Sequence, residues 1–232
     1  HHIVIKGTDQ GIRHGTARVD AADQPHHPAQ QRPRLGSQQP GTTVEQLAPV
    51  ETAGTIATAL ESDDLIYPDW FDGLWQVESL DLDAPDDPPL LHQARFDADQ
   101  RGRLVGDRSF NATAIGRALL GEQLLRVEDD PDSANRQIAR LKSDLYLETT
   151  VTGRRQESPS ADTFLTDELV LQILHAPGPP RLSRIETLSR YKRCGKAICG
   201  DQFQARYPDP GQTITNKAVS VHRYQLTMQP IP

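Results

Sequence analysis

The sequence predicts a mainly β protein, a small antiparallel barrel with one short helix, and a β-sandwich is the alternative. All Trp, Tyr and Phe residues lie from Tyr67 onward, which concentrates the core material in residues 65–232. Alternating apolar residues recur there in short segments, separated by turn-forming residues about every ten positions. This pattern is typical of an antiparallel sheet. Closing such a sheet into a barrel removes its exposed edges and leaves an interior for one ligand.

Residues 1–64 are predicted to be a disordered or non-native segment that precedes one domain at residues 65–232. The segment is rich in His, Gln, Pro and Gly and lacks aromatic core residues, so it buries too little to offset the entropy of ordering. Its His26-His27 pair is flanked by proline, which restricts the geometry of the rings, and no metal site is expected. The one Met is Met228, so we expect His1 not to be the native start and a targeting signal to be missing.

The domain is predicted to contain one helix among its strands. Apolar residues recur at helical spacing at 111–121, where Asn111 can cap the start and Gly121 can end the helix. Trp75 follows Gly73 at the start of the first strand and is expected to be a buried core residue. The predicted strands are Trp75–Leu80, Arg103–Phe110, Glu122–Val127, Arg136–Leu141, Leu145–Thr152, Thr163–Leu174, Ser183–Tyr191, Asp201–Tyr207 and Lys217–Met228.

The net charge of −7 disfavours binding to nucleic acids and to anionic membranes, since both require a basic surface. No segment approaches the roughly 18 consecutive apolar residues of a membrane-spanning helix. The sequence contains no nucleophile elbow, phosphate loop, dinucleotide fingerprint or His-Glu-x-x-His motif. It therefore predicts no cofactor, no metal and no catalytic residue, and it favours a non-catalytic protein while leaving an enzyme open.

Four polar residues are the candidates for ligand binding. Arg108 and Asn111 lie where a predicted strand gives way to the helix, and strand alternation places Arg108 on the side of the apolar Leu104. A buried guanidinium needs an acceptor, which is either an anionic group of a ligand or an internal carboxylate. His222 and Tyr224 share one face of the last strand, so they are candidates for interior polar groups.

Other polar residues are expected to have structural roles. Arg154 and Arg155 are predicted to lie at a solvated hairpin end. The Asp-rich run at 81–87 is predicted to be an acidic loop, because it lacks the glycine turn and the spaced glutamate of a calcium loop. Cys194 and Cys199 are spaced to face each other across a hairpin and are a candidate disulfide. A bridge is expected in an oxidising lumen or periplasm, and free thiols in a reducing cytosol.

Particular blocks resemble a domain-of-unknown-function family shared by cyanobacteria and plant chloroplasts. Tyr67–Val77 is similar to the family's Pro-x-Trp-hydrophobic-x-Gly-x-Trp opening, and its Gly-x-Trp also resembles the start of lipocalin-like barrels. The resemblance implies an oxygenic phototroph and a plastid or thylakoid location, but no reaction. The blocks that follow in order are Gly106–Asn111, Asp130–Arg136, Gly153–Arg155 and Lys217–Tyr224.

We therefore expect a lipocalin-like barrel that binds a small apolar or pigment-like ligand, or a photosynthetic protein partner. One alternative is an enzyme or lyase acting on a pigment in the same barrel, with Arg108, His222 or the Cys pair as participants. Another is an assembly factor whose barrel is filled by side chains. A cavity lined by apolar groups with a few convergent polar groups favours binding, and a packed interior favours the assembly role. The expected location is a thylakoid lumen or periplasm, with the cytoplasm as the alternative.

Overall fold

The computed structural model describes residues 64–207 and 217–232. The expectations for residues 1–63 lie outside the described residues. One sheet of ten strands and one α-helix make up the described part, and none of its helices is long and apolar enough to cross a lipid bilayer. The elements are β1 Gly73–Asp81, β2 Leu90–Ala98, β3 Leu104–Gly106, α1 Arg108–Leu120, β4 Leu124–Asp130, β5 Ser133–Leu141, β6 Tyr146–Ser160, β7 Thr163–His175, β8 Arg181–Cys194, β9 Ala197–Tyr207 and β10 Ser220–Pro230.

The strands follow one another around the sheet almost in sequence order. The order is β3-β2-β1-β10-β9-β8-β7-β6-β5-β4. Strands that follow each other in the chain are therefore paired, except β3 and β4, which α1 separates, and β1 also pairs with β10. Every pair is antiparallel, and the sheet curls into a half-barrel whose ends are β3 and β4. The prediction of a mainly β, antiparallel, barrel-like fold with one short helix is confirmed.

Helix α1 connects the two ends of the sheet, because it follows β3 and leads into β4. It packs against both β2 and β4. The contact with β4 is close at Gly116, where an added Cβ would lie 2.8 Å from Cδ2 of Leu124. The helix therefore fills the break that remains between the two edge strands.

The start of α1 differs from the prediction. Asp107 caps the helix in place of Asn111, and its carboxylate accepts a hydrogen bond of 2.9 Å from the backbone N–H of Phe110. The same carboxylate binds the guanidinium of Arg95 on β2. The predicted strand at 103–110 is therefore wrong beyond Gly106, because a good cap at Asp107 begins the helix earlier.

Two strands also differ from the prediction. The missed strand β2 follows the Pro-rich loop, and its inner face is formed by His92, Ala94 and Phe96, so a polar residue interrupts the apolar alternation. Strand β6 continues past Gly153, where a turn was predicted. A register shift between Val151 and Gly153 accommodates the glycine as a bulge.

An aromatic cluster fills the interior near the start of β1. The Phe71 ring is fully buried and packs edge-on against the rings of Tyr67, Phe96 and Tyr191 at centroid distances of 4.9, 5.1 and 5.2 Å. Trp75 is 5% exposed, and its indole N–H donates to the carbonyl of Phe71 at 2.7 Å. The structure thus places Trp75 in the core, as the sequence predicts.

Candidate functional site

Two rows of polar side chains cross the inner face of the sheet beyond the aromatic cluster. Neighbours within each row are direct cross-strand partners, so the rows follow from the strand register. Most of the members are buried, and polar groups in such positions need partners or a polar ligand. The first polar row is Asp81, Tyr224, Gln202, Ser189, Thr166 and Gln156, and the second polar row is His222, Gln204, Thr187, Glu168 and Arg154.

A cavity of ≈ 300 Å³ opens where these rows approach α1. Leu90 from β2 and Ile115 and Leu119 from α1 form its apolar wall, with Ala118 and Pro88 at its rim. Its volume lies at the lower limit of small-molecule pockets, which span roughly 300–1,000 Å³. The polar side of the cavity is formed by Ser79, Asp81, Gln202, Gln204 and Tyr224, with Asp87 at the rim.

Asp81 is the buried charged group of this cavity, at 6% exposure. One of its carboxylate oxygens accepts a hydrogen bond of 3.0 Å from the backbone N–H of Asp83, and the other lies 3.3 Å from Nδ1 of His222. Asp83 itself binds the backbone and the guanidinium of Arg223, and these hydrogen bonds lower the pKa of the Asp83 carboxyl. The predicted acidic loop therefore begins with an interior carboxylate.

Tyr224 is a member of the cavity wall, and its hydroxyl oxygen is shielded from solvent. Burial raises the pKa of Tyr224, and the carboxylates of Asp81 and Asp83 add to this rise. The phenol is therefore neutral near pH 7 and able both to donate and to accept a hydrogen bond. Its ring stacks on the imidazole of His222 at a centroid distance of 6.2 Å.

Two glutamines of β9 complete the polar wall. Gln202 donates a hydrogen bond of 3.0 Å to the hydroxyl of Ser189, which fixes its amide. Gln204 is also 6% exposed, but within the described part of the chain its amide has no hydrogen-bond partner. The Gln204 amide is therefore a polar group of the cavity wall that is open to a hydrogen bond from a ligand.

Arg108 lies apart from the cavity. It is the first residue of α1, and its Nε donates to the carboxylate of Asp64 at 2.6 Å. Nη1 of Arg154 lies 3.9 Å from the same carboxylate, and Nε of Arg154 donates to Glu168 at 2.9 Å. Of the two expected kinds of acceptor for Arg108, the structure provides the internal carboxylate.

The prediction of a solvated hairpin end at Arg154 is wrong. The Arg154 side chain is only 10% exposed, and besides Glu168 it binds the amide oxygen of Asn135 at 2.7 Å. The reason is the bulge at Gly153, which continues β6 and directs Arg154 to the inner face. Arg154 is thereby the centre of a buried ion network with Asp64, Arg108 and Glu168.

Asn111 joins the helix to the sheet. Its side-chain oxygen accepts from the backbone N–H of Arg95 at 2.7 Å, and its amide group donates to the carbonyl of Arg95 at 3.0 Å. This pair of bonds imitates a strand ladder at the end of β3. Asn111 also faces a second cavity of ≈ 20 Å³, which is about the size of one water molecule.

Cys194 and Cys199 lie at the turn between β8 and β9. They are joined as a disulfide with a Cα–Cα distance of 5.9 Å, across a turn made by Gly195 and Lys196. The turn is on the outer end of the hairpin, and Cys194 is exposed. The pair lies away from the polar wall of the cavity.

The structure brings together two of the four predicted ligand-binding residues. Tyr224 lines the cavity and His222 contacts Asp81, whereas Arg108 and Asn111 hold other parts of the chain. Ligand roles for all four stay predictions. Among residues 64–207 and 217–232, no cluster of three or more His, Cys, Asp or Glu side chains is arranged to hold a metal ion.

Sequence reasoning missed Asp81, Gln202 and Gln204 as cavity residues. Asp81 was interpreted as part of a loop because three more Asp residues and Pro85 follow it within a few positions. In β9 the usual alternation is reversed, since Gln202 and Gln204 face inward and Phe203 is 49% exposed. The alternation at 202–204 was visible in the sequence, but its direction was not.

The fold and the cavity define the class of protein: an antiparallel half-barrel with an internal, polar-walled cavity next to its one helix. The family model described as Domain of unknown function (DUF6816) matches residues 86–232. The match spans more than half of the chain, and the chain belongs to this family. The match confirms the prediction that the chain contains a domain of unknown function. The matched region begins after the Tyr67–Val77 block. No curated protein and no solved structure gives a significant match to the chain.

Proposed function

We propose that this domain is a non-catalytic binding protein that holds a small amphipathic molecule in the cavity between α1 and the sheet. The carrying observation is the ≈ 300 Å³ cavity, with Leu90, Ile115 and Leu119 on one side and Asp81 and Gln204 on the other. An apolar wall with a few convergent polar groups is the usual composition of a ligand pocket. The apolar wall would contact the body of the ligand, and the polar wall would orient its head.

The placement of the polar residues supports binding over catalysis. Arg108 binds Asp64, the Cys pair lies at the β8–β9 turn, and His222 contacts Asp81 beside the cavity. These three candidates for a reaction occupy separate parts of the described chain. The cavity also argues against an assembly factor with a fully packed interior, because ligand-sized space remains next to α1.

The biological setting is part of the same proposal. The resemblance to a family of cyanobacteria and chloroplasts supports a pigment-like ligand or a photosynthetic protein partner in an oxygenic phototroph. A disulfide between Cys194 and Cys199 supports an oxidising compartment, such as a thylakoid lumen or periplasm. Native mass spectrometry of the protein isolated from its host tests the ligand and the partner together, since it detects any retained molecule.

A cavity-filling variant tests the location of the site. Ala118 is exposed at the rim of the cavity, so Ala118→Phe adds a ring at the opening without entering the core. We expect it to weaken binding of the neutral fluorescent probe N-phenylnaphthylamine by about tenfold, which corresponds to roughly 1.4 kcal/mol. The matched control is Leu125→Phe, at a position 51% exposed on β4 and outside the cavity lining. Equal binding by the two variants would place the site elsewhere.

A further inference from the structure

The charge of the cavity is one-sided. Among the described residues that line it, the charged ones are Asp81, which is buried, and Asp87 at the rim. His222 is the basic group in contact with Asp81, through the 3.3 Å approach of Nδ1. The described lining includes no Lys or Arg, so an anionic ligand head would face Asp81 without either cation beside it.

Two nearby arginines do not change this charge. Arg223 follows His222 in β10 but faces away, where its guanidinium binds Asp83 at 2.7 Å. Arg206 lies beyond Gln204 on β9 and is not part of the described lining. The described lining therefore combines carboxyl, amide and hydroxyl groups and includes no Lys or Arg.

Gln204 provides an independent indication of a ligand. Gln204 is 6% exposed as a residue, lines the cavity and has no side-chain hydrogen bond to the described residues. It is the direct cross-strand partner of His222, and Gln202 is the partner of Tyr224. Asp81 on β1 and Gln204 on β9 lie on either side of β10, and both line the cavity.

Resting on the proposed function, we infer that the cavity selects ligands whose head is a protonated amine attached to an apolar body. An ammonium group has three N–H donors and no acceptor, which suits a wall that contains the Asp81 carboxylate and glutamine amide oxygens. A charge-assisted hydrogen bond to Asp81 is stronger than a neutral one. Fatty acids and other amphipathic carboxylates are the class that this wall rejects.

Three probes with the same tail and different heads test this inference. Octylammonium, octanol and octanoate, each below the concentration at which it forms micelles, are titrated against the N-phenylnaphthylamine complex at pH 7. We expect octylammonium to displace the fluorescent probe with about tenfold higher affinity than octanol, and octanoate to be the weakest. Asp81→Asn should remove the preference for octylammonium over octanol.

Matched variants separate the charge from the fold. Asp201→Asn changes the net charge by the same amount as Asp81→Asn. The Asp201 side chain is on the outer face, is 49% exposed and binds Arg190, so this variant should keep the preference for octylammonium over octanol. Gln204→Leu removes the unpartnered amide with Asp81 intact, and it should weaken octylammonium more than octanol. If none of the three octyl probes binds, the proposed function fails at this cavity. If octanol or octanoate binds as tightly as octylammonium, or if Asp81→Asn keeps the preference, the cavity binds ligands but the amine class is wrong.

Discussion

The buried ion network predicts that Arg154→Met is strongly destabilising. Arg154 and Glu168 are 10% and 11% exposed at the side chain, and their charged atoms lie 2.9 Å apart. The variant removes the cation but keeps a buried carboxylate on β7, which loses its closest charge partner. Breaking a buried pair from one side costs about 3 to 5 kcal/mol. We expect a decrease in the free energy of unfolding near the lower of these values, because Asp64 in the same network is 27% exposed.

Urea unfolding measured by tryptophan fluorescence gives this free energy, and two further variants make it diagnostic. Arg190→Met breaks a pair of similar geometry with Asp201, but the side chains are 54% and 49% exposed, so the cost should stay below about 1 kcal/mol. Arg154→Met combined with Glu168→Gln removes the remaining buried charge and should recover roughly 1 to 2 kcal/mol. The burial argument is refuted if Arg154→Met and Arg190→Met have equal costs.

Arg108→Met should lower the free energy of unfolding by about 1 to 2 kcal/mol in the same urea assay, which is less than the cost of Arg154→Met. The reason is that Asp64 is partly solvated and keeps Arg154 at 3.9 Å. A cost above that of Arg154→Met would contradict this order. Trp75→Ala should cost roughly 3 to 5 kcal/mol, since the indole is 5% exposed, and a cost below about 1 kcal/mol would mean that the ring is not in the core. Burial lowers the pKa of His92 below its usual 6.5, so the unfolded chain binds a proton before the folded one does. The contribution of His92 to the free energy of unfolding should be complete above pH 6.5 and should fall as the pH decreases below it, by at most about 1.4 kcal/mol per pH unit. His92→Leu should flatten this slope in urea titrations at several pH values.

The strands were predictable where one face is apolar, and the prediction failed where the inner face is polar. Ser183–Tyr191 and Thr163–Leu174 lie within β8 and β7, since Ile185, Tyr191 and Phe164 mark the inner side. β2 was missed because His92 faces inward, at a position where the alternating pattern of a half-buried strand would have an apolar residue. Local patterns also do not reveal a bulge, so Gly153 was interpreted as a turn.

The candidate site was predictable only in part for the same reason. His222 and Tyr224 were found because Leu226 and Met228 identify the inner face of β10. Asp81 became interior only through the β1–β10 pairing, which joins residues far apart in the sequence. Arg108 was predicted on the inner face of a strand, whereas it begins α1 and binds Asp64, which belongs to the segment that was assigned no structure.

The β1–β10 pairing also has a consequence for the order of folding. Of the nine ladders in the described sheet, eight join strands that are neighbours in sequence, and these form as local hairpins at a small entropic cost. The ladder between Trp75–Asp81 and Tyr224–Pro230 closes nearly the whole length of the domain. During synthesis β1 therefore has β2 on one side and an exposed edge on the other until the chain beyond residue 220 has emerged. An unpaired edge of this kind is an aggregation hazard, so nascent chains halted before β10 should be those that chaperones retain.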